Sequence, residues 1–200
     1  RLQTFYPPAA LPQTQYAAVI DQKSDVQIAL ITFSEKAVLR FGPVHPENAP
    51  PFTLRPSAST NEVAGLRLAG EIWRDEAPDS RLNIVLFGDG VPNSGGGLFG
   101  NDTKAALEEG QKLKQEGVRI TTIGFRGPTM DSDHLRSLAS SPALAFEAEE
   151  GTVRPVFLTA TRSLTVNHWG RYGSEFMVFV IDESGSMDEG NKKPEVEDGV

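Results

Sequence analysis

The chain has 200 residues, 38% of them hydrophobic and none of them cysteine, with a formal net charge of −8. That length and apolar content suit one compact α/β domain with a full core, and 19 glycines with 14 prolines fit many turns rather than general disorder. The acidic balance argues against non-specific nucleic-acid binding and docking on an anionic membrane, the lack of cysteine excludes disulfides and thiol chemistry, and no apolar run reaches the roughly 18 residues of a membrane span.

The chain opens on Arg1, which reads as a fragment or a processed product. Residues 1–15 are rich in Pro and Gln and read as an extended arm, followed by a short helix over Tyr16 to Asp21. Val26 to Ser34 alternates β-branched and apolar residues, as a buried strand does, and Lys36 to Phe41 reads as its hairpin partner at a sheet edge. The proline-rich stretch from Gly42 to Ser57 reads as a surface loop. Ser59 or Thr60 is placed to cap a helix, with Glu62 in its first turn and Val63, Leu66, Ala69, Ile72 and Trp73 at helical spacing.

Leu82 to Phe87 is a continuous apolar strand of the kind buried on both faces, closed by a Gly88-Asp89-Gly90 turn. After a flexible stretch from Gly95 to Gly100, Asp102 to Glu116 predicts an amphipathic helix ended by Gly117. Val118 to Phe125 is the next strand. Asp131 or Asp133 starts a short helix through Leu135 and Leu138, Ala143 to Glu147 is a short strand, and Val153 to Leu164 is a further helix. Asn167 to Ser174 connects to Glu175–Ile181, the most hydrophobic strand, which delivers Asp182. Residues 188–200 read as a mobile acidic tail. Strands separated by helix-length segments predict a three-layer, doubly wound, mostly parallel sheet flanked by helices, in a single domain over residues 1–200. Ligands of such sheets sit at the carboxyl ends of the strands.

Asp182, Ser184 and Ser186 follow directly on a buried strand at alternate positions, with Gly185 relieving the turn. One carboxylate and two hydroxyls make a hard oxygen set, suited to Mg²⁺, Mn²⁺ or Ca²⁺ rather than to soft metals. Two other strand–helix junctions supply what this loop lacks: Thr60 a hydroxyl and Asp89 a second carboxylate. Each has a plainer reading alone. Thr60 would be a helix cap, Asp89 a side-chain-stabilised Asp-Gly turn, and D-x-S-x-S itself a turn. The acidic stretch from Asp188 onward lacks the ligand spacing of an EF-hand, and His45, His134 and His168 share no metal spacing and read as surface or packing residues.

The run DESGSM after a hydrophobic strand resembles the DxSxS signature of von Willebrand factor type A domains that carry a metal ion-dependent adhesion site. The resemblance extends to VQIALITFSEKA, STNEVAGLRLA, NIVLFGDGVPN, EEGQKLKQEGVRITTIGF and DSDHLRSLASSPALAFEA, covering roughly residues 20 to 187. It implies a Mg²⁺ (or Mn²⁺ or Ca²⁺) site in which Asp182, Ser184 and Ser186 form one ligand loop, Thr60 a second, and Asp89 holds the ion directly or through water. It further implies a non-enzymatic adhesion module that coordinates an acidic group of a protein ligand, in an extracellular or cell-surface setting, without inserting into a membrane.

Two features depart from the family pattern. The DxSxS strand comes last in sequence, as in a circularly permuted chain. A truncated second domain of a tandem pair and a domain-swapped oligomer are the rival explanations. Gly88 stands where the family more often has a hydroxyl residue, which implies a looser surround for the ion. Two further functional classes stay open at this stage: a Mg²⁺-dependent phosphohydrolase, and a structural assembly domain with an unused metal site.

Overall fold

The computed structural model describes residues 26–53, 59–92, 102–128, 130–149, 151–166 and 174–183. The arm at 1–15, the helix expected over Tyr16 to Asp21, the Gly95 to Gly100 stretch, most of the 167–174 connector and the 188–200 tail lie outside these residues.

Six strands form one sheet: β1 (Val26–Phe33), β2 (Ala37–Val44), β3 (Arg81–Gly88), β4 (Arg119–Phe125), β5 (Ala145–Ala148) and β6 (Glu175–Asp182). Four helices flank it: α1 (Glu62–Glu76), α2 (Asp102–Gln115), α3 (Ser132–Leu138) and α4 (Val153–Val166). The spatial order is β2-β1-β6-β3-β4-β5, with β2 antiparallel to β1 and every other pair parallel. The last strand in sequence therefore lies between β1 and β3. Counted cyclically from β6, the order becomes 3-2-1-4-5-6, that of doubly wound nucleotide-binding sheets, whose switch point falls between strands 1 and 4. Here that point is the β6/β3 boundary.

Strands β1, β3 and β6 are buried along nearly their whole length because both faces are covered. On one face Ala29, Ile31, Leu82, Ile84, Phe176 and Val178 pack against Leu66, Ala69 and Ile72 of α1, Leu113 of α2 and Leu135 and Leu138 of α3. On the other, Ile28, Leu30, Val85, Phe87, Phe179 and Ile181 pack against Val153, Phe157 and Ala160 of α4, with Ala49 closing the margin. Each such aliphatic or aromatic side chain contributes about 1.5–3 kcal/mol on full burial, so the two layers hold the sheet from both sides.

Some boundaries differ from expectation. The α1 cap is Asn61, whose side chain accepts from Ala64 N, rather than Ser59 or Thr60. Strand β2 runs on through Val44 into what reads as loop, because its backbone still pairs with β1 at Ile28. A short 3-10 turn over Pro46–Asn48 then follows, and Pro46 and Ala49 are buried. For α3 the cap is Asp131, which accepts from His134 N.

Candidate metal centre

Asp182 is the last residue of β6 and is 1% exposed, and Asp89, immediately after β3, is 2% exposed. The strands are neighbours in register, Phe87 opposite Ile181, so Gly88 stands beside Asp182. A Cβ built on Gly88 would lie 3.2 Å from Asp182 Cβ and 3.3 Å from its Oδ2, closer than side chains ordinarily approach. The absent side chain thus lets β3 backbone sit directly against the carboxylate.

Two hydrogen bonds and a glycine turn fix the Asp89 loop. Val91 N donates to Asp89 Oδ1 at 3.1 Å, the local Asx-type contact expected of an Asp-Gly turn. Asp131 N donates to Asp89 O at 2.9 Å and joins the loop to the cap of α3. Gly90 has φ +75°, and a Cβ there would meet Leu135 Cγ at 2.6 Å, so this turn requires glycine both for its backbone and for its space.

Thr60 is 2% exposed and precedes α1. Its loop is fastened to the β1–β2 turn, where Asn61 N donates to Ser34 O at 2.6 Å and Asn61 Nδ2 to Glu35 O at 3.1 Å. Ser34 follows Phe33, which pairs with Asp182, and Glu183 N donates to Phe33 O at 2.8 Å. The Thr60 loop is therefore held over β1 and Asp89 over the end of β3, on either side of the strand that carries Asp182.

The electrostatics at this end are lopsided. Glu183 is buried, and Arg40 Nη2 from β2 donates to its Oε2 at 2.7 Å while Arg40 Nε donates to Thr32 Oγ1 at 2.6 Å. Arg40 is thus engaged by Glu183. Two more buried carboxylates, Asp182 and Asp89, stand at adjacent strand ends. No three His, Cys, Asp or Glu side chains converge among the described residues. Carboxylates and a hydroxyl at one end of the sheet are all oxygen donors, the kind that could hold a divalent cation.

Asp182, Asp89 and Thr60 are thus gathered at one end of the sheet, and Ser184 and Ser186 lie outside the described residues. Sequence reasoning missed Arg40 and the buried pair formed by Glu62 of α1 and His134 of α3, where Nε2–H donates to Oε2 at 2.6 Å. His134 is 4% exposed, which makes it a packing residue rather than a surface one. Burial works against its imidazolium, and the Glu62 and Asp131 carboxylates outweigh that, so its pKa is raised. Its Nδ1 is buried with no hydrogen-bond partner among the described residues.

No family model and no curated protein matches the chain. Solved structures do. The pilus adhesin SpaC from Lactobacillus rhamnosus GG aligns with a TM-score of 0.57 at 17% identity over 76% of this chain. Proximal thread matrix protein 1 from the mussel byssus aligns with a TM-score of 0.53 at 20% identity over 76% of this chain. The chain spans 26% of the adhesin's length and 39% of the matrix protein's.

Proposed function

We propose that this von Willebrand factor type A-like fold works as a divalent-cation-dependent protein-binding module without catalytic activity of its own. The observation that carries the reading is a pair of buried carboxylates, Asp182 and Asp89, at the carboxyl ends of adjacent central strands, with the buried hydroxyl residue Thr60 at the same end of the sheet. Asp182, Asp89 and Thr60, with Ser184 and Ser186 of the same DxSxS loop, would hold Mg²⁺, Mn²⁺ or Ca²⁺. An ion with few charged ligands stays electrophilic, and when bound it would accept a carboxylate oxygen from an acidic residue of a protein ligand. The similar folds of a pilus adhesin and a thread matrix protein support an extracellular or surface setting and a protein partner. The placement of β6 between β1 and β3 of one sheet supports a single permuted domain over a truncated tandem one.

Calorimetric titration of the chain with Mn²⁺ and Mg²⁺ tests this. Binding at one site is expected, with stabilisation of about 2.7 kcal/mol at a hundredfold excess over Kd and reversal by EDTA. Asp182→Ala should abolish both. Absence of Mn²⁺ and Mg²⁺ binding by the wild type, or wild-type affinity in Asp182→Ala, would sink the reading.

A further inference from the structure

The contacts around the site form a closed ring. From Asp182 the path runs through Glu183 to Phe33 O, along the chain to Ser34, and across to Asn61 beside Thr60. It continues to Glu62, across the 2.6 Å contact to His134, back to Asp131 through His134 N, and from Asp131 N to Asp89 O. Gly88, packed against the Asp182 carboxylate, closes it. Every hydrogen bond in this ring except one uses backbone groups or a helix cap, so substitution elsewhere leaves most of it standing. The exception is Glu62–His134, formed by two side chains 72 residues apart that are 4% and 1% exposed.

We infer that the Glu62–His134 pair is a positioning contact that sets the distance between the Thr60 loop and the Asp89 loop, and so fixes the affinity of the cation site. This rests on the metal-binding reading above. Glu62 opens α1 two residues after Thr60, and His134 lies in the first turn of α3, whose cap holds Asp89. The two loops therefore connect through one short, buried and directional link. Neither side chain touches the ion in this scheme. They act by holding the backbones from which Thr60 and Asp89 project.

A burial rationale alone accounts poorly for the pair. A Glu and a His placed between two helices stabilise a fold less well than apolar residues of similar volume, since both must be desolvated. Loss of partners that orient metal ligands ordinarily costs ten- to a hundredfold in metal affinity. Because this contact acts through two stretches of backbone, the lower end applies.

The test is a double-variant cycle read by Mn²⁺ titration, with urea unfolding in EDTA as the companion measurement. Glu62→Ala and His134→Ala should each lower Mn²⁺ affinity about tenfold. The double variant should be no weaker than either single one. Glu62→Gln keeps an acceptor for His134 and should stay within about threefold of wild type. Leu138→Ala, at the last residue of α3 and packed in the core, serves as a control that loses stability without removing a contact of the ring, and its Mn²⁺ affinity should be unchanged while it is folded. If both alanine variants bind Mn²⁺ as tightly as wild type, or if affinity merely follows stability as in Leu138→Ala, the positioning role is wrong and the metal site stands. If the wild type binds no Mn²⁺, the metal reading and this inference fall together. Should an alanine variant fail to fold, additive effects of His134→Gln and Glu62→Gln on Mn²⁺ affinity would overturn the coupling, and non-additive effects would support it.

Discussion

The two ends of the sheet are built on opposite principles. At the amino end, Val26, Leu82, Val118 and Phe176 are buried among other apolar side chains, and a part-buried hydrogen bond runs along the rim there from Asn83 Nδ2 to Glu175 Oε2 at 2.6 Å. At the carboxyl end, Thr60, Glu62, Asp89, His134, Asp182 and Glu183 are all under 5% exposed. One strand, β6, contributes to both, beginning at Phe176 in an apolar layer and finishing at Asp182 among charges. A chain selected only for stability would not concentrate desolvated carboxylates in this way, since each costs several kcal/mol before compensation. The amino end is held by apolar packing, and the carboxyl end gathers buried polar groups, as the proposed cation site requires.

Substitutions chosen from the two ends should separate these roles. The largest effect is expected from Phe176→Ala, which removes a fully buried ring at the amino end and should cost about 3–5 kcal/mol by urea unfolding. Mn²⁺ affinity of the folded variant should stay within twofold of wild type. A parallel loss of affinity would mean that the ends are not separable.

Arg40→Ala comes next. It strips Glu183 of a charge partner, and because Arg40 is 36% exposed the cost in EDTA should be about 1–2 kcal/mol, less than for a fully buried pair. Saturating Mn²⁺ should recover part of that loss by supplying positive charge nearby. Unchanged unfolding midpoints in EDTA would show that Glu183 does not depend on Arg40.

The smallest effect is that of pH on the Glu62–His134 pair. A folded-state pKa raised above the unfolded value means that the contribution is complete below the ordinary histidine pKa of about 6.5 and fades as pH climbs through the raised value. Protonation also leaves an Nδ1–H without a described partner, which keeps the gain under about 1 kcal/mol. The stability gap between wild type and His134→Gln should therefore narrow between pH 6 and pH 8.5. A gap that widens over that interval would contradict the assigned sign.

The strands and long helices were legible because each rests on a local pattern: LNIVLF and FMVFVI on continuous apolar runs, and α1 on Val63, Leu66, Ala69 and Ile72 at helical spacing. Asp182 and Asp89 were legible for a similar reason, as polar residues that end apolar strands. The cap at Asn61 was missed because Ser59, Thr60 and Asn61 all have capping side chains, and only the tether of Asn61 to Ser34 and Glu35 decides among them. Arg40–Glu183 and Glu62–His134 were invisible for a stronger reason. They span 143 and 72 residues, and each depends on how helices and strands face one another after packing.

The position of β6 has a consequence for how the protein is made. The pair β1–β2 and the group β3–β4–β5 join as one sheet only through β6, which is synthesised after both. Until residues 175–182 leave the ribosome, β1 and β3 each present an unpaired apolar edge, and their contacts with β6 are the most distant in sequence that the sheet makes. At ordinary elongation rates of about 5–20 residues per second, that exposure lasts for seconds on a nascent chain. Chaperone demand should accordingly be highest between the emergence of β3 and that of β6, and ribosome-stalled chains ending before residue 175 should be protease-sensitive across β1 and β3, whereas chains long enough to release β6 should be protected.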